Sequence, residues 1–97
     1  MENQITFDTT IKQLNEKLLT SDLGDELVMM NIENGDYLGL NTVGKKIWEL
    51  MQQPIKVQTI CAELKKHYDA TSEQIESSVL RILKEMQEEK ILEIVVD

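Results

Sequence analysis

Residues 26–48 read ELVMMNIENGDYLGLNTVGKKIW. Two apolar runs flank Asn34-Gly35, the strongest short-range signal for a β-hairpin. In the first run Val28, Met30 and Ile32 share one face, and Leu27 and Met29 share the other. In the returning run Leu38 and Leu40 share a face opposite Tyr37 and Gly39. The pattern predicts an antiparallel hairpin with strands over residues 26–32 and 37–40. Asn41 follows at the position of a helix N-cap, where its side chain can accept from a free helix N–H.

Working outward, Val43, Ile47, Leu50 and Met51 recur at helical spacing, and Pro54 marks the end of that first helix. Val57, Ile60, Cys61, Leu64 and Tyr68 make the stripe of a second helix. Thr71 with Gln74 has capping-box spacing and opens a third, whose stripe is Ile75, Val79, Ile82, Leu83 and Met86. Upstream, Lys17-Leu18-Leu19-Thr20 reads as a short strand ending at Gly24; residues 91–96 read as an apolar tail, a final strand or a cover over the core. Residues 1–16 form a weakly patterned lead in which Ile5 and Phe7 alternate with polar neighbours. Strands followed by helices predict an α+β domain: a small antiparallel three-stranded sheet and then three helices, the shape of a winged helix-turn-helix. At 97 residues with no internal repeat or linker, residues 1–97 make one domain.

The net charge is −8, with ten basic residues against eighteen acidic ones. Nucleic-acid binding draws its affinity from Lys and Arg on phosphates, so a DNA-binding winged helix is disfavoured. Arg81, Lys84 and Lys90 are diluted by Glu73, Glu76, Glu85, Glu88 and Glu89, which fall between the apolar positions and read as a solvated face. No apolar run approaches the roughly 20 residues of a membrane span. The N-terminus, MENQITFD, lacks the basic-then-apolar pattern of a signal peptide, and a single cysteine suits a reducing compartment, so a cytoplasmic protein without membrane contact is expected.

Catalytic signals are missing. His67 stands alone at the end of the second helix, where the helix dipole favours a surface cation. Cys61 sits on an apolar stripe and reads as a small hydrophobe. One His and one Cys give no metal cluster, and the four glycines fit no phosphate-binding loop. Neither an enzyme nor a resident cofactor is expected. Gly39 interrupts a strand, which marks either tight packing within the domain or close approach of a foreign backbone. A short edge strand beside an amphipathic helix is also the equipment for binding an extended peptide as an added strand.

The stretch ELVMMNIENGDYLGLNTVGKKIWELM resembles the PqqD-like family in its strand, turn, aromatic-x-Gly-Leu-Asn segment and following Gly-x-x-Ile-Trp. TICAELKKHYDATSEQIESSVLRILKEMQEEKIL is similar to the family's remaining helices and end. The resemblance spans about residues 18–92 and implies a recognition domain for the leader of a ribosomally made precursor peptide. Such domains present the leader to a modifying enzyme: a radical-SAM enzyme in pyrroloquinoline quinone synthesis, or a leader protease and cyclase in lasso-peptide pathways. The length favours a stand-alone partner, and the long polar lead and general appearance incline the reading to the lasso type. By the same resemblance the leader adds beside Asp36, Tyr37, Leu38, Gly39 and Leu40, against a wall drawn from Ile75, Val79, Ile82, Leu83 and Met86. If Val79 and Leu83 line that groove, Asp at either is expected to abolish binding in a folded domain. Lys90 departs from the family, which often has Gly there before the final apolar pair.

Overall fold

The computed structural model describes residues 4–96. Strands β1 (Thr10–Gln13), β2 (Leu18–Asp22), β3 (Leu27–Asn31) and β4 (Tyr37–Leu40) lead into helix α1 (Thr42–Leu50). A two-residue strand β5 (Ile55–Lys56) precedes α2 (Val57–His67) and α3 (Ser72–Glu88), and β6 (Leu92–Val95) closes the chain. The architecture is α+β, with three helices and two antiparallel three-stranded sheets ordered β2-β3-β4 and β5-β1-β6. The single sheet expected from the sequence is therefore one of two, and the winged-helix label describes the fold only loosely. The second sheet joins the start of the chain, the α1–α2 link and the end: Ile11 lies opposite both Ile55 and Ile94. Its last strand, β6, is the final strand offered for residues 91–96, whereas β1 and β5 are not legible in the sequence, because their ladder partners are distant along the chain. Residues 5–7 of the weakly patterned lead form no strand.

The hairpin is present, but its connection is a five-residue loop over 32–36 rather than a two-residue turn on Asn34-Gly35. Asparagine side chains explain the difference. The Asn31 carboxamide accepts from the N–H groups of Glu33 (2.9 Å) and Asn34 (3.4 Å), and Asn34 Oδ1 accepts from Asp36 N–H (2.9 Å). Such side-chain acceptors build a turn without a tight backbone reversal. Gly35 still supplies the left-handed residue, at φ 77°.

Leu27, Met29 and Leu40 bury the inner face of this sheet, with Leu38 half-buried beside them. They join Ile47, Trp48 and Met51 of the α1 region, Val57, Ile60 and Leu64 of α2, and the α3 stripe. Asn41 caps α1 by accepting from Gly44 N–H (2.9 Å), and Thr71 and Gln74 form the full capping box on α3. Gln13 is the buried polar residue of the core. Its backbone N–H donates to Met51 O (2.9 Å) and its Nε2 to Trp48 O (2.9 Å), so β1 satisfies carbonyls left open where α1 ends.

Helix α3 ends in a Schellman turn. Ile91 N–H donates to Met86 O (3.0 Å) and Lys90 N–H to Gln87 O (3.1 Å), which forces Lys90 to φ 62°. Lys90 thus occupies the left-handed conformation that glycine adopts without strain, the physical content of its departure from the family pattern. Lys90→Gly is expected to stabilise the fold by about 1 kcal/mol, since a non-glycine residue there costs about 1–2 kcal/mol before the entropy of glycine is subtracted. Thermal unfolding should shift up by roughly 4–8 °C for each such kcal/mol in a domain of this size. At the β2–β3 turn, the Lys45 ammonium donates to Asp22 (2.8 Å) and to the Gly24 carbonyl, and Gly24 N–H also donates to Asp22 (2.9 Å). These bonds hold the Asp22 carboxyl below its ordinary range, the lysine chiefly, and the stability they contribute is lost as pH falls through that lowered value. An NMR titration should show Asp22 titrating below a normal aspartate, and returning towards normal in Lys45→Met.

Candidate functional site

Among the described residues no group of three or more His, Cys, Asp or Glu is placed to hold a metal ion. His67 is exposed at the end of α2. Cys61 is half-buried, and burial pushes its thiol up, away from reactive thiolate. Glu73, Glu85, Glu88 and Glu89 are exposed, as a solvated face requires. The fold's unspent bonding capacity lies in backbone.

Strand β4 is an edge, hydrogen-bonded to β3 alone. The register places Leu27 opposite Leu40, Val28 opposite Gly39, Met29 opposite Leu38 and Met30 opposite Tyr37. Asn31 N–H donates to Asp36 O (2.8 Å), which fixes the parity of the ladder. Alternation then commits the backbone groups of Leu38 and Leu40 to β3 and turns those of Tyr37 and Gly39 outward. On the other side of β3, Ile32 N–H donates to Lys17 O (2.9 Å), the opposite parity that β2 requires. Strand β2 is the sheet's second edge, but it is exposed over Leu19–Asp22.

The β4 edge is flanked differently. Past its Leu40 end lies a largely apolar cleft of about 650 Å³, lined by Val43 of α1, Leu64 and Tyr68 of the α2 end, Ala70, and Glu73, Gln74, Ile75, Ser77 and Ser78 of α3. At its Tyr37 end lies a cleft of about 640 Å³ whose charged lining is mostly acidic, Glu16, Glu33, Asp36, Glu88 and Glu89 against Lys17 and Lys90, over an apolar floor of Leu14, Leu18 and Ile91. Helix α3 contributes its first turns to the cleft past the Leu40 end and its last turn to the cleft at the Tyr37 end, so the two ends of the helix answer opposite ends of β4.

The residues expected from the sequence separate accordingly. Asp36 is exposed in the acidic cleft; Tyr37 and Gly39 are exposed on the edge strand; Leu38 is half-buried and Leu40 buried. Ile75 lines the apolar cleft, and Ile82, like Ile75, keeps 7% exposure. Val79, Leu83 and Met86 are at 0–1% and belong to the core, not to a groove wall. The third-helix stripe marks the core-facing side, and its edges, not its centre, reach the surface. Val43, Tyr68 and Ala70 were not expected at the site, although Val43 and Tyr68 sit on the α1 and α2 stripes. A Cβ built on Gly39 meets nothing within 4 Å, so packing inside the described domain does not require this glycine. Gly44 is the glycine that packing uses, with Leu40 side-chain atoms 3.3 Å from its notional Cβ.

The family model for Coenzyme PQQ synthesis protein D (PqqD) matches residues 26–92. A solved structure, TbiB1 in complex with the TbiA(beta) leader peptide, has the same fold, with a TM-score of 0.75 and 22% sequence identity over 88% of this chain and 99% of that one. No curated protein matches the sequence significantly. Because Val79 and Leu83 are fully buried, Val79→Asp and Leu83→Asp place an unpaired carboxylate in the core. Each is expected to cost about 4 kcal/mol or more and to unfold much of the domain, read by loss of the cooperative denaturant transition in circular dichroism.

Proposed function

The chain belongs to the PqqD family, and on that premise we propose that it is a non-catalytic cytoplasmic protein that binds the leader of a ribosomally synthesised precursor peptide and presents it to a modifying enzyme. The observation that carries this reading is the free β4 edge, with Tyr37 and Gly39 turning their backbone groups outward beside an apolar cleft. An extended peptide adds to such an edge as a further strand. Gly39 suits a rail of this kind, since it presents no side chain to an approaching backbone. The likeness to a protein solved with a leader peptide supports the same reading.

An antiparallel guest would enter with its N-terminal part at the Leu40 end, against Val43, Tyr68 and Ile75, and leave past Asp36 and Glu88. Low-micromolar binding requires about 8 kcal/mol. Edge hydrogen bonds at a net ~1 kcal/mol each cannot supply that alone. Two or three apolar side chains of the guest, at ~1.5–3 kcal/mol each when buried, supply the rest in the apolar cleft. Held there, the remainder of the precursor is concentrated at the enzyme. The partner we assign is a leader protease acting with a cyclase, the lasso-peptide pairing; a radical-SAM gene beside this one would assign the quinone-type pairing instead.

The test is fluorescence anisotropy with the labelled leader of a precursor peptide identified among the neighbouring genes, expected to give low-micromolar or tighter affinity. In Gly39→Pro the outward donor is lost while the β3 ladder is untouched. Affinity should fall by about tenfold, the lost bond and the blocked rail together, with an unchanged circular dichroism spectrum. Wild-type affinity in that variant would remove the edge from the binding site.

A further inference from the structure

The outer face of the β2-β3-β4 sheet is apolar where a solvated face is ordinarily polar. Leu19 lies opposite Met30 and Met30 opposite Tyr37, so the three stand in one row across the strands. Leu19 is 59% exposed and Tyr37 70%. Val28 lies in the next row between Ser21 and Gly39, and together these side chains line a shallow depression. The helices pack on the other side of the sheet, where Leu27, Met29 and Leu40 are buried. An apolar row left bare on a small domain marks a contact surface.

Charge selects the occupant. Residues 16–40 carry six exposed acids; Lys17 pairs with Glu33 (2.7 Å) and Lys45 of α1 with Asp22 (2.8 Å), which leaves Glu16, Asp25, Glu26 and Asp36 as the acidic excess of the rim. A second copy would bring the same acidic rim, and a net charge of −8, against itself. A protein with an apolar patch framed by Lys and Arg meets both the row and its rim. Tyr37 ties this face to the docking edge, because its side chain stands in the row while its backbone faces the guest strand. We propose that the outer sheet face, centred on Leu19, Met30 and Tyr37, docks the modifying enzyme through such a basic-rimmed patch, which seats the enzyme next to the bound peptide. The identity of the partner rests on the peptide-presenting function proposed above; the surface itself does not.

The experiment uses the full chain, the labelled leader, and the purified leader protease identified among the neighbouring genes. Leu19→Lys/Met30→Lys should lower enzyme affinity by about tenfold or more, measured calorimetrically without peptide. It should leave leader affinity unchanged. Leu19→Thr/Met30→Thr, which keeps strand-forming side chains, should weaken the enzyme complex too, and serves if the lysine variant does not fold. Wild-type enzyme binding should weaken as NaCl rises from roughly 0.05 to 0.5 M. Full enzyme affinity in both double variants would overturn the proposal, as would a wild-type dimer in sedimentation that the variants abolish. Loss of enzyme binding in the variants, with no leader binding by the wild type, would support the surface and overturn the peptide reading.

Discussion

An antiparallel strand shares only alternate backbone groups with any one neighbour, and this constraint governs the working side of the molecule. Once Leu27 stands opposite Leu40, the backbone of Leu38 and Leu40 belongs to β3 and that of Tyr37 and Gly39 faces out. The same alternation sends the side chains of Leu38 and Leu40 to the core and leaves Tyr37 and Gly39 on the outer face. One choice of register therefore anchors the strand and exposes its edge. A slip of one residue would reverse both, burying Tyr37 and exposing the leucines, which is why the register is strongly held.

The edge is useful only if α3 lies beside it, and that placement is made elsewhere. Asn41 converts the end of β4 directly into α1, and Leu40 fits against Gly44. Gln13 ties β1 to the end of α1, and β1 in turn pairs with β5 ahead of α2 and with β6 after α3. The second sheet is thus a clasp that fixes both ends of the helical layer. The left-handed Lys90 is the last joint of that clasp, reversing the chain from α3 into β6. The strain it carries lies beside the acidic cleft, not beside the apolar one.

Charge and apolar surface are distributed unevenly over this scaffold. The helical layer mixes lysines with glutamates, whereas the hairpin sheet is acidic around a bare apolar row. The free edge and the bare face meet at Tyr37. A strand guest and a folded partner can therefore occupy adjoining surfaces without competing for the same groups.

Much of this was legible in the sequence, because it rests on local rules. Alternation gave β3 and β4, helical spacing gave the three helices, and Asn41 and Thr71 announced their caps through side-chain chemistry that acts within three residues. Asn34-Gly35 marked the reversal, although Asn31 lengthened the loop. The edge strand and Gly39 could be picked out for the same reason. The residues that depend on distant partners could not. Strand β5 is too short to show a period, β1 carries a single aliphatic residue, Ile11, among polar ones, and the role of Gln13 exists only because α1 ends beside it. The α3 stripe told which side of the helix is apolar, but the division of that side between core and cleft depends on where α2 and β4 come to lie. The sequence by itself determined the hairpin strands, the three helices, their caps and their apolar faces, since these follow from neighbours along the chain. Only the tertiary structure decided which backbone groups of β4 stay open, that Val79, Leu83 and Met86 are core, and that Val43, Tyr68 and Ile75 share a cleft, since each is a relation between segments that the chain brings together only by folding.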